Sequence, residues 1–257
     1  MSRRWMAALA AGWVLVACGG GNSLPPGDGS RTPSGELPGD SVNPDDNTPA
    51  AATSLWPLTT GSTWVYDIDD PDPMQGKFKK TVTVLGQREV PELQGKSAVL
   101  VHSRQDRTVS GIVYEEFSYQ LELTNGLVVR LREEDHRDGT QVRSTVWSPA
   151  TVKSLARTPD ALPWSYQSAV REQTVLGDGT KEDSDPTYTW RVVETGLTLT
   201  TKAGTFTNVV KVQRDKINKA GEVKEGKSRV YWLAPGVGKI REEGERTEEL
   251  VSYDVKK

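Results

Sequence analysis

The stretch Tyr119-Gln120-Leu121-Glu122-Leu123-Thr124-Asn125-Gly126-Leu127-Val128-Val129-Arg130-Leu131 constrains the fold more than any other part of the chain. Two apolar-rich runs meet at an Asn-Gly pair, a strong hairpin signal. A two-residue Asn125-Gly126 turn would set Leu121 opposite Arg130 and mix charge with apolar surface on one face. A three-residue loop, with Gly126 left-handed, instead pairs Leu123 with Leu127, Leu121 with Val129 and Tyr119 with Leu131. That register makes one continuous apolar face. A one-residue slip would move every side chain to the other face, so burial selects it.

Short runs of the same kind fill the chain beyond Leu55, separated by turn signals. Trp64 to Ile68, Lys79 to Gly86 and Ala98 to His102 come first; Val82 and Val84 alternate with Thr81 and Thr83, and Ala98 to Val101 reads as a central strand. Runs near Tyr166–Leu176, Tyr188–Glu194 and Leu197–Thr201 follow, with Asp178–Asp185 as a polar loop. Phe206–Gln213, Ser228–Leu233, Lys239–Glu243 and Glu249–Val255 complete the pattern, with turns at Lys219-Ala220-Gly221 and Glu243-Gly244-Glu245. Ala234-Pro235-Gly236-Val237 fits a type II turn, proline presetting one central residue and glycine accepting the positive φ of the next. Between Ser148 and Leu162 the alternation stops. Pro149 to Ala156 reads there as a short helix, capped by Ser148 and ended before Pro159.

Hydrophobic residues make up 35% of the chain, too few for a thick core and suited to strands that bury one face each. The expected fold is all-β, an antiparallel curved sheet of half-barrel or barrel-like form with one short helix, spanning residues 55–257. A weak repeat runs through it. Trp64-Val65-Tyr66 leads through Val82-Thr83-Val84 to Ala98–Val101, and Trp164-Ser165-Tyr166 leads through Trp190-Arg191-Val192 to Val209–Val212. Two similar β units in one sheet or barrel, or chance convergence of aromatic strands, both account for it.

The N-terminus differs in kind. Arg3-Arg4 precede an apolar run from Trp5 to Val16, too short for a retained span, which needs about 20 apolar residues. Leu15-Val16-Ala17-Cys18 then resembles the lipobox of bacterial lipoproteins, which implies cleavage before Cys18 and lipidation of its sulfur. Cys18 is the single cysteine of the chain. Residues 1–17 are therefore expected to be a signal peptide, and 18–54, rich in Gly, Pro, Ser, Asp and Asn, a disordered tether. Several acyl chains, palmitate among them, make such an anchor stable at about 0.8 kcal/mol per buried methylene. Gly19 is not the aspartate that favours inner-membrane retention, so the expected site is the outer membrane, at its periplasmic or outer face.

Ala203–Val212 and Tyr231–Gly238, with Leu55-Trp56-Pro57-Leu58, Gly61 and Trp64-Val65-Tyr66, look like the signature of a group of uncharacterised bacterial secreted proteins and lipoproteins. Such domains are similar to the curved sheets of lipoprotein-carrier half-barrels. The resemblance implies a hydrophobic cavity closed by short helices and assigns no catalytic residues.

The side chains that carry chemistry are sparse. The formal charge is −3, and a mildly acidic chain lacks the basic face that nucleic acid requires. His102 and His136 are the two imidazoles. One ends an apolar strand and the other lies in Glu133-Glu134-Asp135-His136-Arg137-Asp138, so neither belongs to a catalytic set. With Cys18 lipidated, two scattered histidines do not make a zinc site. Asp67-Ile68-Asp69-Asp70-Pro71-Asp72 offers oxygen ligands, but proline, aspartate and Phe78 occupy key EF-hand positions. Gly236-Val237-Gly238 precedes a strand and cannot cradle phosphate as a helix-opening loop does. No cofactor is expected.

Aromatic side chains remain. Trp64, Tyr66, Trp164, Tyr166, Trp190, Tyr231 and Trp232 either fill the core or line a cavity for an apolar ligand. The expected function is that of a lipid-anchored, non-catalytic envelope protein, with a lipid-like or other apolar ligand held in the curved sheet. The alternative is a structural or assembly component acting through an envelope protein partner.

Overall fold

The computed structural model describes residues 52–93, 95–107, 109–218 and 220–256; the signal segment, Cys18 and the tether as far as residue 51 lie outside them. Fourteen strands follow in chain order: β1 (Thr63–Asp69), β2 (Lys77–Glu89), β3 (Ser97–Arg107), β4 (Ile112–Glu122), β5 (Leu127–Arg137), β6 (Thr140–Leu155), β7 (Ser165–Ala169), β8 (Arg171–Leu176), β9 (Lys181–Ser184), β10 (Thr187–Thr201), β11 (Gly204–Ile217), β12 (Val223–Ala234), β13 (Gly238–Glu243) and β14 (Thr247–Asp254). All join one antiparallel sheet in the order β7-β10-β11-β12-β13-β14-β1-β2-β3-β4-β5-β6-β8-β9. Two six-stranded meanders are visible in that order, β1–β6 and β7 with β10–β14, joined where β14 pairs with β1. The hairpin β8–β9 is inserted between the first two strands of the second meander and attaches to β6.

The weak repeat follows this topology. Trp64 faces Val82 and Tyr66 faces Lys80 across β1–β2. Tyr166 likewise faces Trp190 across β7–β10, while the Trp164 carbonyl accepts from the Val192 amide. Each meander thus opens on a Trp-x-Tyr stretch, but the pairing registers differ by two residues, Trp64 lying opposite the first residue of Val82–Val84 and Trp164 opposite the last of Trp190–Val192.

The sheet curls until its two ends approach. β10 and β8 are second and thirteenth in strand order, which on a flat sheet would put them about 50 Å apart at about 4.8 Å per strand. Instead the Tyr188 hydroxyl on β10 donates to the Glu172 carboxylate on β8 at 2.9 Å. Val170 alone separates β7 from β8 in sequence, yet those strands lie on opposite sides of the seam. The curl closes through side chains and one residue of chain. Among the described residues no backbone ladder joins β7 to β6.

One end of the curl is stopped by the entering chain. Leu55 is fully buried; its amide donates to the Ala156 carbonyl after β6, and the Ser54 carbonyl accepts from Gly236 between β12 and β13. Trp56 donates from its indole to Gln120 on β4 at 2.9 Å. Gly236 has φ 72°, the Val237 amide closes the turn onto Ala234, and a Cβ at Gly236 would lie 2.9 Å from the Ala52 carbonyl oxygen. The type II geometry read from Pro235-Gly236 is present, and the absent side chain also makes room for the plug.

The Tyr119–Leu131 hairpin keeps its expected loop and its first two pairs. Leu121 faces Val129, the Leu123 amide donates to the Leu127 carbonyl, and Gly126 has φ 84°. The third pair departs, because a bulge after Tyr119 sets that residue against Arg132.

Other expectations need correction. Among the described residues there is no helix, and Pro149–Ala156, expected as one, belongs to β6 as far as Leu155. On β5, Leu131 alone separates Arg130 from Arg132; on β6, Trp147 to Ala150 separate their partners Val146 and Thr151. Pro149 therefore occupies a bulge, where its missing N–H breaks no ladder bond, and β-branched Thr151 and Val152 continue the strand. The Tyr166–Leu176 run is two strands on opposite sides of the seam. The polar loop carries the exposed edge strand β9, while β10 runs unbroken from Thr187 to Thr201 through bulges.

Candidate functional site

Successive strand residues alternate between the outside of the curl and its interior, and the interior positions enclose a cavity of about 670 Å³. Its two ends differ in chemistry. Towards the plug the walls are Trp56, Leu58, Trp64, Val84 and Val152; towards the open loops they are charged. The resemblance implied a hydrophobic cavity closed by helices, whereas this one is largely charged and is stopped by an extended segment.

Three networks hold the charged walls together. In the first, Glu248, 2% exposed, takes Lys80 from β2, Lys239 from β13 at 2.6 Å and Arg246 at 2.9 Å. Lys239 also bonds Glu242 at 2.5 Å, and Arg229 reaches Glu242 at 3.2 Å. Burial alone would raise the Glu248 carboxyl, but Lys239, Lys80 and Arg246 outweigh it and hold the group well below the usual carboxylate range. Lys80 is brought down to about 8, mainly by burial.

The second network lies on β4–β6. Arg130 pairs with Glu133 and, at 3.8 Å, with Glu116, stacking at 4.2 Å on Trp147. Lys153 reaches Glu116 at 3.8 Å, and Arg143 reaches Asp135 at 2.5 Å. Glu116, Glu133 and Asp135 place carboxylate oxygens within 4.8 Å of one another. Arg130, Arg143 and Lys153 already neutralise those oxygens, and a cation there would have to displace them. Burial works to raise Glu116, yet Lys153 and Arg130 bring it down to about 2. The third network spans the seam: Glu172 on β8 accepts from Trp147 of β6 at 3.0 Å, Tyr188 of β10 at 2.9 Å and Ser184 of β9 at 3.1 Å.

The seven aromatic candidates divide. Trp64, Tyr66 and Tyr231 line the cavity. The Trp64 indole is tied to the Val237 carbonyl at 2.7 Å and the Tyr66 hydroxyl to the Lys239 carbonyl at 2.9 Å, so both also serve as core. Trp190 stacks behind Tyr231, with ring centroids 5.7 Å apart, and Trp164 and Tyr166 pack against the same cluster. Trp232 lies under Lys211 and Arg241, away from the cavity.

His102 and His136, scattered in sequence, meet around Phe117. His102 stacks on that ring at 4.6 Å and His136 meets its edge at 5.1 Å. Glu115 lies 3.0 Å from His102 and Glu134 3.5 Å from His136; among the described residues neither imidazole bonds a hydroxyl or thiol. The acidic run at the end of β1 and just beyond it is occupied: Asp67 takes Lys79 and Lys202, Asp69 takes Lys77, and Asp70 and Asp72 accept turn amides.

Sequence reasoning missed the charged interior. Alternation places Lys80 on the face of Val82 and Val84, and Arg214 on that of Val212, so one signal was present. The identity of the groups facing them across the curl was not.

No family model and no curated protein matches the chain, so the family resemblance rests on the residues quoted for it. Among solved structures it is similar to the 2.70 Å crystal structure of a "putative lipoprotein" from Parabacteroides distasonis ATCC 8503. Identity is 16% and the TM-score 0.39, over 79% of this chain and 99% of that one. A likeness that loose carries no argument about the site.

Proposed function

We propose that the chain is a lipid-anchored, non-catalytic protein of the bacterial envelope that holds an amphiphilic, lipid-like ligand inside its curled sheet. The lipobox-like Leu15–Cys18 supports the anchor. The cavity carries the binding reading. Its volume of about 670 Å³ suits a small molecule, with apolar walls at the plug and charged walls beyond. A wholly apolar ligand would strand the charged walls without water, which favours a molecule with one polar end. Assembly through the sheet edges has weaker support, because β7 has five residues and β9 four, Lys181-Glu182-Asp183-Ser184, all exposed. Short edges, and charge on β9, discourage strand addition.

The test has two parts. Mass spectrometry of the membrane fraction should find Cys18 acylated at the mature N-terminus, with Cys18→Ser releasing the protein from that fraction. An unmodified Cys18 or another start overturns the anchor. Native mass spectrometry of the detergent-solubilised full chain should show a co-purified amphiphile; an empty protein that binds neither fatty acids nor lysophospholipids overturns the binding reading.

A further inference from the structure

The cavity walls hold nine Lys or Arg side chains and seven Asp or Glu, a surplus of two positive charges inside a chain whose formal charge is −3. Seven of the nine cations have a carboxylate within 4 Å. Of the remaining two, Arg107 also has a buried Nε without an acceptor, but its terminal nitrogens donate to Gln75 and Gln105 and it lies over Tyr114. Arg214 is different. Its guanidinium lies over the rings of Tyr188 and Trp190 at 5.2 and 5.9 Å, makes no side-chain hydrogen bond among the described residues, and keeps a buried Nε without an acceptor.

The Glu245 carboxylate feels its charge without bonding it, and several of the other groups around it are donors as well. Trp190, 1% exposed, has a buried indole N–H with no acceptor. Tyr231, stacked on Trp190 and lining the cavity, bonds its hydroxyl to no described residue, and the Nε of neighbouring Arg130 is also unmatched. Glu172, held to Tyr188, already takes three donors. Buried donors that lack acceptors destabilise a protein unless something supplies the oxygens.

We propose that Arg214, with Tyr231 beside it, binds an oxyanion, the carboxylate or phosphate group of the molecule held in the cavity. A planar guanidinium with unspent N–H groups takes such a group through two parallel hydrogen bonds, and its two aromatic neighbours hold it flat for that purpose. The inference rests on the reading of the cavity as a ligand site and adds the chemistry of the ligand's polar end.

The experiment is a calorimetric titration of the detergent-solubilised full chain with inorganic phosphate, acetate and dodecyl phosphate. Saturable binding is expected, weakened about tenfold or more in Arg214→Gln, as loss of a charge-assisted pair implies. Arg214→Lys should lose less, Tyr231→Phe should weaken binding with the ring retained, and Lys211→Gln, beside Trp232 and away from the cavity, should bind as the parent does. Matching near-ultraviolet circular dichroism and melting temperature establish that each variant is folded. Saturable binding of phosphate or acetate alone identifies a free anion; binding of dodecyl phosphate alone identifies the head group of an amphiphile. Saturable binding unchanged by Arg214→Gln and Tyr231→Phe overturns the assignment while leaving the cavity reading intact. No saturable binding of any probe overturns the oxyanion site; native mass spectrometry then reports separately whether the cavity holds another class of ligand.

Discussion

Gly236 shows how little of a residue's role its turn signal contains. Pro235-Gly236 announces a type II turn, but the same glycine leaves space for the Ala52 carbonyl and donates its amide to Ser54, holding the plug. Gly236→Ala should cost about 1–2 kcal/mol for the left-handed backbone alone, with more from the 2.9 Å approach to Ala52. Chemical denaturation read by tryptophan fluorescence checks this, and an unchanged midpoint would refute it. Gly238 repeats the device, since a Cβ there would meet Pro57 at 3.2 Å. Arg214 is the contrary case: an unremarkable arginine in an alternating strand becomes distinctive through the partners it lacks.

Among the elements, β6 and the β8–β9 hairpin were least legible. Loss of alternation around Pro149 resembles a helix start because proline suits both a first helical turn and a strand bulge; the partner strand selects the bulge. The hairpin's first strand falls within the single Tyr166–Leu176 run of the sequence and its second in a stretch whose charge marks it as loop; the pair forms because β6 offers a free edge. Glu172 fastens that hairpin across the seam. Glu172→Ala should leave the Trp147 and Tyr188 donors unmatched and cost about 1–3 kcal/mol. Hydrogen exchange should rise in β7 and β8 while β1 and β14 stay protected; uniform exchange across the sheet would contradict a local clasp.

The complete curl concentrates buried carboxylates whose native pKa values are depressed. For such a group the folded chain binds fewer protons than the unfolded one, so its stabilisation is present above the ordinary carboxylate range and is lost as pH falls through the native value. Glu248, held well below that range, and Glu116, brought down to about 2, therefore protect the fold near neutrality. Asp135 and Glu122, raised by burial, oppose this at higher pH. Denaturation midpoints should hold from neutrality to about pH 5 and fall steadily from about pH 4.5 towards 2. A flat profile to pH 2 would show that the interior networks contribute little.

Local alternation and turn chemistry establish the antiparallel β class, the Leu123–Leu127 loop and the Gly236 turn, because each depends on residues a few positions apart. The same local pattern could not say that Lys80 meets Glu248, that Tyr188 meets Glu172, or that Trp56 reaches Gln120, since these contacts join strands or segments that no hairpin pairs and exist only once the sheet has curled. Curvature is a collective property of fourteen twisted strands and their bulges. It converts an unexceptional scatter of inward charges into a cavity with an unmatched arginine.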